Sequence, residues 1–331
     1  MSSTDRQASA GPTRRQMIAL GIGVFAVTAV PFLRARRARL VRRSVPLMGT
    51  LAEVGVVHEH PVYAHAAIDA AFDALREVER LMTRFAPGSD VGRANRFAAR
   101  DAVAVAPATA GVLAAAVDWA VASEGRFDPC LARVTDLWDV TRRTAPPPVA
   151  RIRPFAGRHL YRALDLDRGP TPRVRLTDPD AAIDLGGIAK GYGVDRAVEA
   201  LRGWGVDRGL VNVGGDLYAL GSSEDGDPWQ VGIRSPTDPD QVAGAVPVAD
   251  AAIATSGDYE QYFSAGGQRY HHLLDPETAA PRRSAAHSVT VRAATCLAAD
   301  AAATAVFGLD AAAARRMLRR RGAEVLRVGT A

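Results

Sequence analysis

The sequence predicts an α+β fold built as one large domain, residues 44–331, behind an N-terminal segment of different character. Three observations carry that expectation. After residue 44, stretches of alternating apolar residues interchange with stretches of helical apolar spacing. No linker separates two independent cores, and 331 residues of 48% apolar composition can bury one core of this size. Charge divides at the same place: residues 1–43 hold nine arginines against Asp5 alone, so the whole-chain +5 conceals a body of net −3. A body of that sign is not a nucleic-acid binder.

Taken in order, Thr13-Arg14-Arg15-Gln16-Met17-Ile18 leads into an apolar, glycine-containing stretch that ends at Leu33. This is similar to a twin-arginine export signal. An uncleaved anchor fits as well, because the stretch falls just short of a comfortable span and the basic tract Arg34 to Arg43 follows it. Val27-Thr28-Ala29 offers a weak cleavage site, and no cysteine follows to carry a lipid. The expected location is therefore periplasmic or the outer face of the cytoplasmic membrane.

Leu51 to Val57 reads as the first strand, and Val62 to Arg84 as a helix with Ala66, Ala70, Phe72, Leu75, Val78 and Leu81 at helical spacing. Thr109 to Glu124 reads as a second helix, and Ala145 to Pro148 as a loop breaker between two lobes of the same fold. A helix opens near Gly187 with Val194, Ala197, Val198, Leu201 and Trp204 on its core face. Strands follow at Leu210 to Val213 and Trp229 to Arg234, the first closed by a Gly214-Gly215-Asp216 turn. An alanine-rich helix spans Cys296 to Gly308, another closes at Arg315 to Arg321, and Glu324 to Val328 is the last strand. Cys130 and Cys296 have no zinc-finger or CxxC spacing and are expected to be buried, inert thiols, or a single disulfide only if the pair meets in space.

Lys190 is the only lysine in the chain, and it stands among four glycines and two aspartates in Asp184-Leu-Gly-Gly-Ile-Ala-Lys190-Gly-Tyr-Gly-Val-Asp195. Ammonium is slimmer than guanidinium, so a tight anionic site admits lysine where arginine cannot replace it. Backbone amides at a helix start would complete a pyrophosphate cradle; a strand-to-helix turn with a surface lysine has the same wording. Asp300 and Thr304, four residues apart on the alanine-rich helix, share a face and with a backbone carbonyl offer hard oxygen ligands for Mg²⁺. A solvated aspartate and a back-bonded threonine fit that spacing too. His271 and His272 close a short strand as base, phosphate partner, metal ligand or structural imidazoles, without zinc spacing. Thr255-Ser256-Gly257-Asp258-Tyr259 is a polar loop and not a serine-hydrolase elbow.

Taken together, Met48-Gly49-Thr50, Arg126-Phe127-Asp128-Pro129, Ile183 to Tyr192, Val211-Asn212-Val213-Gly214-Gly215-Asp216, Ala254 to Tyr259, His272-Leu273-Leu274-Asp275-Pro276 and Ala298 to Thr304 resemble the successive blocks of the ApbE family. The resemblance runs from Met48 to about Leu309. It implies a single ApbE-like, T-fold-related domain with mixed or antiparallel sheets and packed helices. It also implies an FAD:protein FMN transferase, which cleaves FAD at the pyrophosphate, joins FMN to a threonine or serine hydroxyl of a target protein and releases AMP.

By the same resemblance, Lys190 and Asp184 contact FAD, and the peptide oxygen of Gly187 with Asp300 and Thr304 forms the magnesium site. Met48, Phe85, Arg126, Phe127, Asp128 and Leu273 match the flavin pocket. His272 is the expected base, with Asp258 as the alternative. The implied partner is a membrane electron-transfer flavoprotein carrying a Ser/Thr-Gly-Ala-Thr/Ser-like acceptor motif. Three positions depart from the family pattern: Gly187 for alanine, Phe85 for tyrosine, and Glu277-Thr278-Ala279 for Arg-Thr-Gly. Two other readings remain, a Mg²⁺-dependent FAD pyrophosphatase giving FMN and AMP, and a flavin carrier or assembly factor without turnover.

Overall fold

A computed structural model describes residues 38–236, 238 and 241–330. The export or anchor segment, its cleavage site and the tract from Arg34 to Arg37 lie outside the described residues. Among the described residues, no helix is long and apolar enough to cross a membrane.

Seven antiparallel strands form the central sheet, and each lies beside the one that precedes it in chain order. They are β1 (Arg39–Leu47), β2 (Thr50–His58), β3 (Gly209–Val213), β4 (Asp216–Leu220), β5 (Ala251–Gly257), β6 (Ala286–Ala293) and β7 (Glu324–Thr330). Every connection longer than a turn is an insertion on one face or one end of this meander. Three long helices cover one face: α1 (Pro61–Met82), α2 (Ala189–Gly203) and α3 (Cys296–Val306). The hairpin Trp229–Arg234 with Val242–Val248 covers the other.

Alternation along the strands sorts the two faces. Ala52, Val54, Val56, Val211, Val213, Tyr218, Leu220, Ala252 and Ala254 join the helix-side core. Val57, Leu210, Leu217, Ala219, Ala251 and Ile253 join Trp229, Val231 and Ile233 beneath the hairpin. The helix-side core is continuous across the proline run: Trp138 and Val140 before it and Ile152 and Leu160 after it belong to one cluster. The run is a loop, and it does not divide two lobes.

Helix and strand expectations from the sequence fall within a few residues of the observed elements, with three corrections. The basic tract continues into β1, so the domain boundary expected after residue 43 falls inside a strand. Two of its arginines are strand residues with partners: Arg42 lies 3.5 Å from Glu53 and Arg43 2.5 Å from Asp69. Leu51 to Val57 is accordingly the second strand. Trp204 is not on a core face; it caps the end of α2 and is 39% exposed. Both cysteines are buried and free, with their thiols pushed well up by burial.

α2 and α3 touch backbone to backbone. A Cβ at Gly191 would stand 2.3 Å from the carbonyl oxygen of Cys296 and 2.8 Å from Cβ of Asp300. α3 is pinned at both ends. At its start the Asp195 carboxylate accepts the amides of Cys296 and Leu297 at 2.7 and 2.9 Å, and Thr295 Oγ1 accepts that of Ala298. At its end the buried Arg282 donates to the carbonyls of Thr304 and Phe307, at 2.6 and 3.0 Å, and Arg126 donates to those of Ala305 and Phe307. Cations there also complement the helix dipole.

Two outcomes follow for stability. Gly191→Ala forces the helices apart against backbone rather than a yielding side chain, and we expect a loss on the order of 3 kcal/mol, measured by chemical denaturation. Glu53 is buried on the sheet, and burial, opposed by Arg42, pushes its carboxyl up to about 7. A pKa raised in the folded state favours folding at low pH, and that contribution is lost as pH rises from the unfolded value near 4.5 through 7. Glu53→Gln should therefore raise the melting temperature at pH 8 and leave it nearly unchanged at pH 4.5.

Candidate functional site

The site forms where the start of α2 meets the side of α3. Positions four apart on each segment face one another. Gly191 amide donates to Asp300 Oδ2 at 3.0 Å, and a Cβ on Gly187 would meet Thr304 Oγ1 at 3.0 Å. Two glycines therefore let the turn before α2 and its first residues lie directly on the α3 face that carries the carboxylate and the hydroxyl. Alanine at 187 would press on Thr304 and on the Phe127 ring 3.3 Å away.

Lys190 projects between two carboxylates. Its Nζ lies 2.5 Å from Asp216 Oδ2 and 3.5 Å from Asp300 Oδ2. Burial works against the ammonium, but Asp216 and Asp300 together outweigh it and hold Lys190 charged. Asp216 begins β4, directly after the tight Gly214-Gly215 turn, and is pushed up to about 7 by burial and by repulsion from Asp300, against the pull of Lys190. Two buried acids share one ammonium, so the cluster has room for a further positive charge. Among the described residues, no group of three His, Cys, Asp or Glu is placed to hold a metal. A cation here would thus draw on Asp300, the Thr304 hydroxyl and main-chain oxygen, a donor set suited to hard ions. Ser256 Oγ lies 3.4 Å from Thr304 Oγ1 and adds a second hydroxyl.

The rim is built by the end of α1 and the turn between β1 and β2. Met48 and Gly49 both have positive φ, 54° and 71°, in a two-residue turn that suits the sheet twist. Met48 amide donates to Glu79 of α1 at 2.9 Å, and its sulfur lies 3.1 Å from where a Cβ on Gly193 would stand. A methionine held at positive φ is strained, which suits a position kept for a ligand. Arg84, just past α1, pairs with Asp184 at 3.3 Å and Asp136 at 2.7 Å and lies over the Phe85 ring at 4.5 Å. Phe85 itself is 80% exposed.

Other expected residues are tied to the scaffold. Arg126 is spent on the end of α3, and Asp128 accepts the amides of Cys130 and Tyr161; burial pushes its carboxyl up to about 6. Phe127 is buried against Gly187 and so shapes the site floor. Leu273 is buried, its amide donating to His271 Nδ1, while His271 Nε2 donates to the Arg282 carbonyl. His271 is a structural imidazole. Its neighbour differs: the Gln261 carbonyl lies 3.4 Å from His272 Nδ1, which places the proton there and leaves Nε2 as an acceptor. Burial above all, with the nearby Lys190 ammonium, lowers His272 to about 4 and keeps it neutral.

Asp258 is less suited to be a base. Its two oxygens already accept from Arg269 at 2.8 Å and from His287 at 2.7 Å. Sequence reasoning assigns no role to Asp216, Ser256 or Arg84. Asp216 and Ser256 stand inside family-like blocks, and Arg84 has the look of a helix end; in each case the partner that reveals the role is distant in sequence.

An ammonium, paired acids and a glycine-lined helix start thus meet at one place, a set of groups suited to an anionic ligand. The family model of the ApbE family matches residues 48–327, and the chain belongs to that family. It is 33% identical over 289 residues to an FAD:protein FMN transferase of Treponema pallidum, covering 82% of this chain and 80% of that one. A Vibrio cholerae protein of the same description is 30% identical over 272 residues, covering 82% and 81%. Among solved structures, the ApbE protein of Thermotoga maritima superposes with a TM-score of 0.79 at 29% identity, covering 87% of this chain and 93% of that one. The flavin transferase ApbE of V. cholerae gives 0.76 at 27% identity with the same coverage.

Asp216→Asn removes the closer partner of Lys190 while keeping its shape. We expect phosphate-ligand turnover to fall at least tenfold with little change in melting temperature. Lys190→Arg should fall as far, because the guanidinium fork is too broad for the space between Asp216 and Asp300. Steady-state kinetics on both variants check this.

Proposed function

We propose that this chain is an FAD:protein FMN transferase, dependent on Mg²⁺ and acting outside the cytoplasm on a membrane-associated flavoprotein. The observation that carries the reading is the cluster Lys190, Asp216, Asp300 and Thr304 at the glycine-lined start of α2. The names of the curated relatives support the activity. Export is supported by the N-terminal sequence alone.

Phosphoryl transfer asks chiefly for positioning and charge neutralisation. Asp300, Thr304 and the Gly187 carbonyl would hold Mg²⁺, which supplies neutralisation of the pyrophosphate charge when bound. Lys190 compensates charge on the phosphate oxygens and is itself oriented by Asp216. Phe127, Met48 and the exposed Phe85 offer apolar surface to the isoalloxazine. The acceptor hydroxyl oxygen forms the new bond to the FMN phosphorus, the bond to the AMP oxygen breaks, and the hydroxyl proton passes to His272 Nε2. His272 is favoured over Asp258 because its Nε2 is unclaimed whereas both Asp258 oxygens are paired.

Incubation with FAD, Mg²⁺ and a peptide carrying a Ser/Thr-Gly-Ala-Thr/Ser-like motif is the direct test. Covalent FMN on the peptide with release of AMP is the expected result. Free FMN would make the chain a pyrophosphatase, and unchanged FAD a carrier. His272→Ala should keep FAD affinity within about threefold and reduce transfer by roughly 10²-fold or more, in line with loss of a general base. Asp300→Ala and Thr304→Ala should each raise the Mg²⁺ concentration needed for half-maximal rate.

A further inference from the structure

Phe85 is the most exposed aromatic residue among the described residues, at 80%, whereas the side chain of Arg84 beside it is only 14% exposed. That inverts the usual order, in which arginine reaches water and phenylalanine is buried. Phe97 provides the comparison. The Arg96 guanidinium lies 5.1 Å from its ring centroid, the ring is 44% exposed, and Arg96 forms no ion pair among the described residues.

Arg84 is held from two sides. Its Nη1 donates to Asp136 Oδ1 at 2.7 Å, on the helix Ala132–Trp138, and its Nε lies 3.3 Å from Asp184 Oδ2, on the turn that leads into α2. Asp184 is itself fixed: its amide donates to the Pro129 carbonyl at 2.8 Å, and its Oδ1 accepts the Gly186 amide at 2.9 Å. Arg84 thus joins three segments, the end of α1, the stretch that follows Pro129 and the turn that carries Gly187.

The guanidinium so anchored lies over the Phe85 ring, 4.5 Å from its centroid, where the negative face of the ring attracts it. The Thr83 hydroxyl accepts the Phe85 amide at 3.3 Å and steadies the main chain. One face of the ring is therefore covered by a cation held in place, and most of the rest is open to solvent. A ring kept out of the core and braced on one side is suited to a flat aromatic partner on the other. Both Asp184 oxygens already have partners within the protein, so the presentation of that ring falls to Arg84. A lysine ammonium could not serve two carboxylates and lie flat on a ring as the planar fork does.

We propose that Arg84 is a positioning residue for the flavin: tied to Asp136 and Asp184, it braces Phe85 so that the free face of the ring stacks on the isoalloxazine. This rests on the FAD reading above and deepens it. The brace acts on the flavin half of the substrate alone. It sets the affinity for FAD and leaves the transfer step, which belongs to the Lys190 cluster, unaltered.

The test is titration calorimetry of the full chain with Mg²⁺ and, in parallel, FAD or ADP, which has the pyrophosphate and adenosine but no flavin. Arg84→Lys and Arg84→Ala should each weaken FAD about tenfold and leave ADP within about twofold, and in turnover should raise KM for FAD with kcat nearly unchanged. Asp136→Asn, at an exposed position, removes one anchor without touching the core and should weaken FAD about threefold, whereas Arg96→Ala should change nothing. Phe85→Leu combined with Arg84→Ala should lose little more than either alone, because the two act as one unit. Equal losses for FAD and ADP would make Arg84 a general structural tie and overturn the proposal. Unchanged FAD affinity in Arg84→Lys, or additive losses in the double variant, would overturn it too, with the FAD reading intact. A wild-type chain that binds FAD no more tightly than ADP would overturn the flavin reading together with it.

Discussion

Where Gly191 of α2 meets Cys296 of α3, two helices approach closer than any side chain would permit. Everything chemical in the molecule follows from that approach. Only at this separation can Asp300 accept the Gly191 amide, from a residue 109 positions away in the chain. The same approach sets Thr304 against Gly187 and brings Lys190 between Asp216 and Asp300. The missing Cβ atoms matter here for what they let in, more than for backbone freedom.

A contact this tight needs a helix that cannot slide. α3 has that restraint from charged residues at both ends: Asp195 comes from α2 itself, and Arg282 and Arg126 come from loops that precede β6 and the helix Ala132–Trp138. Asp195 serves both helices at once, since it belongs to one and caps the other. The sheet behind them is a meander in chain order, and its regular alternation of faces lets three helices lie side by side across it. The groups of the site thus come from the start of α2, the start of β4 and the side of α3, held by a body in which, among the described residues, nearly every buried polar side chain has a partner.

Much of this is legible in the amino-acid order. Helix spacing places α1, α2 and α3 within a few residues, and Lys190 among glycines points at the centre of the site. What the order conceals depends on distant partners. The strand β1 is obscured by arginines whose charges are answered by Glu53 and Asp69. Asp216 looks like the end of a turn until the fold sets it 2.5 Å from Lys190. Trp204 continues the apolar period of α2 by one residue beyond the point where the helix stops and solvent begins. Arg126 and Asp128 stand in a recognisable block, yet the fold employs both on main-chain groups of neighbouring segments.

The solitary lysine has a consequence for covalent chemistry at amines. An amine reacts with acylating agents and aldehydes only when it has lost its proton, and Asp216 and Asp300 hold the Lys190 ammonium charged. Apart from the α-amino group, the folded chain therefore offers no ready amine to such reagents. Acylation of Lys190 would signal that the acids had been drawn away from it. The ammonium between the two acids thus serves as a built-in reporter of whether the cluster is assembled.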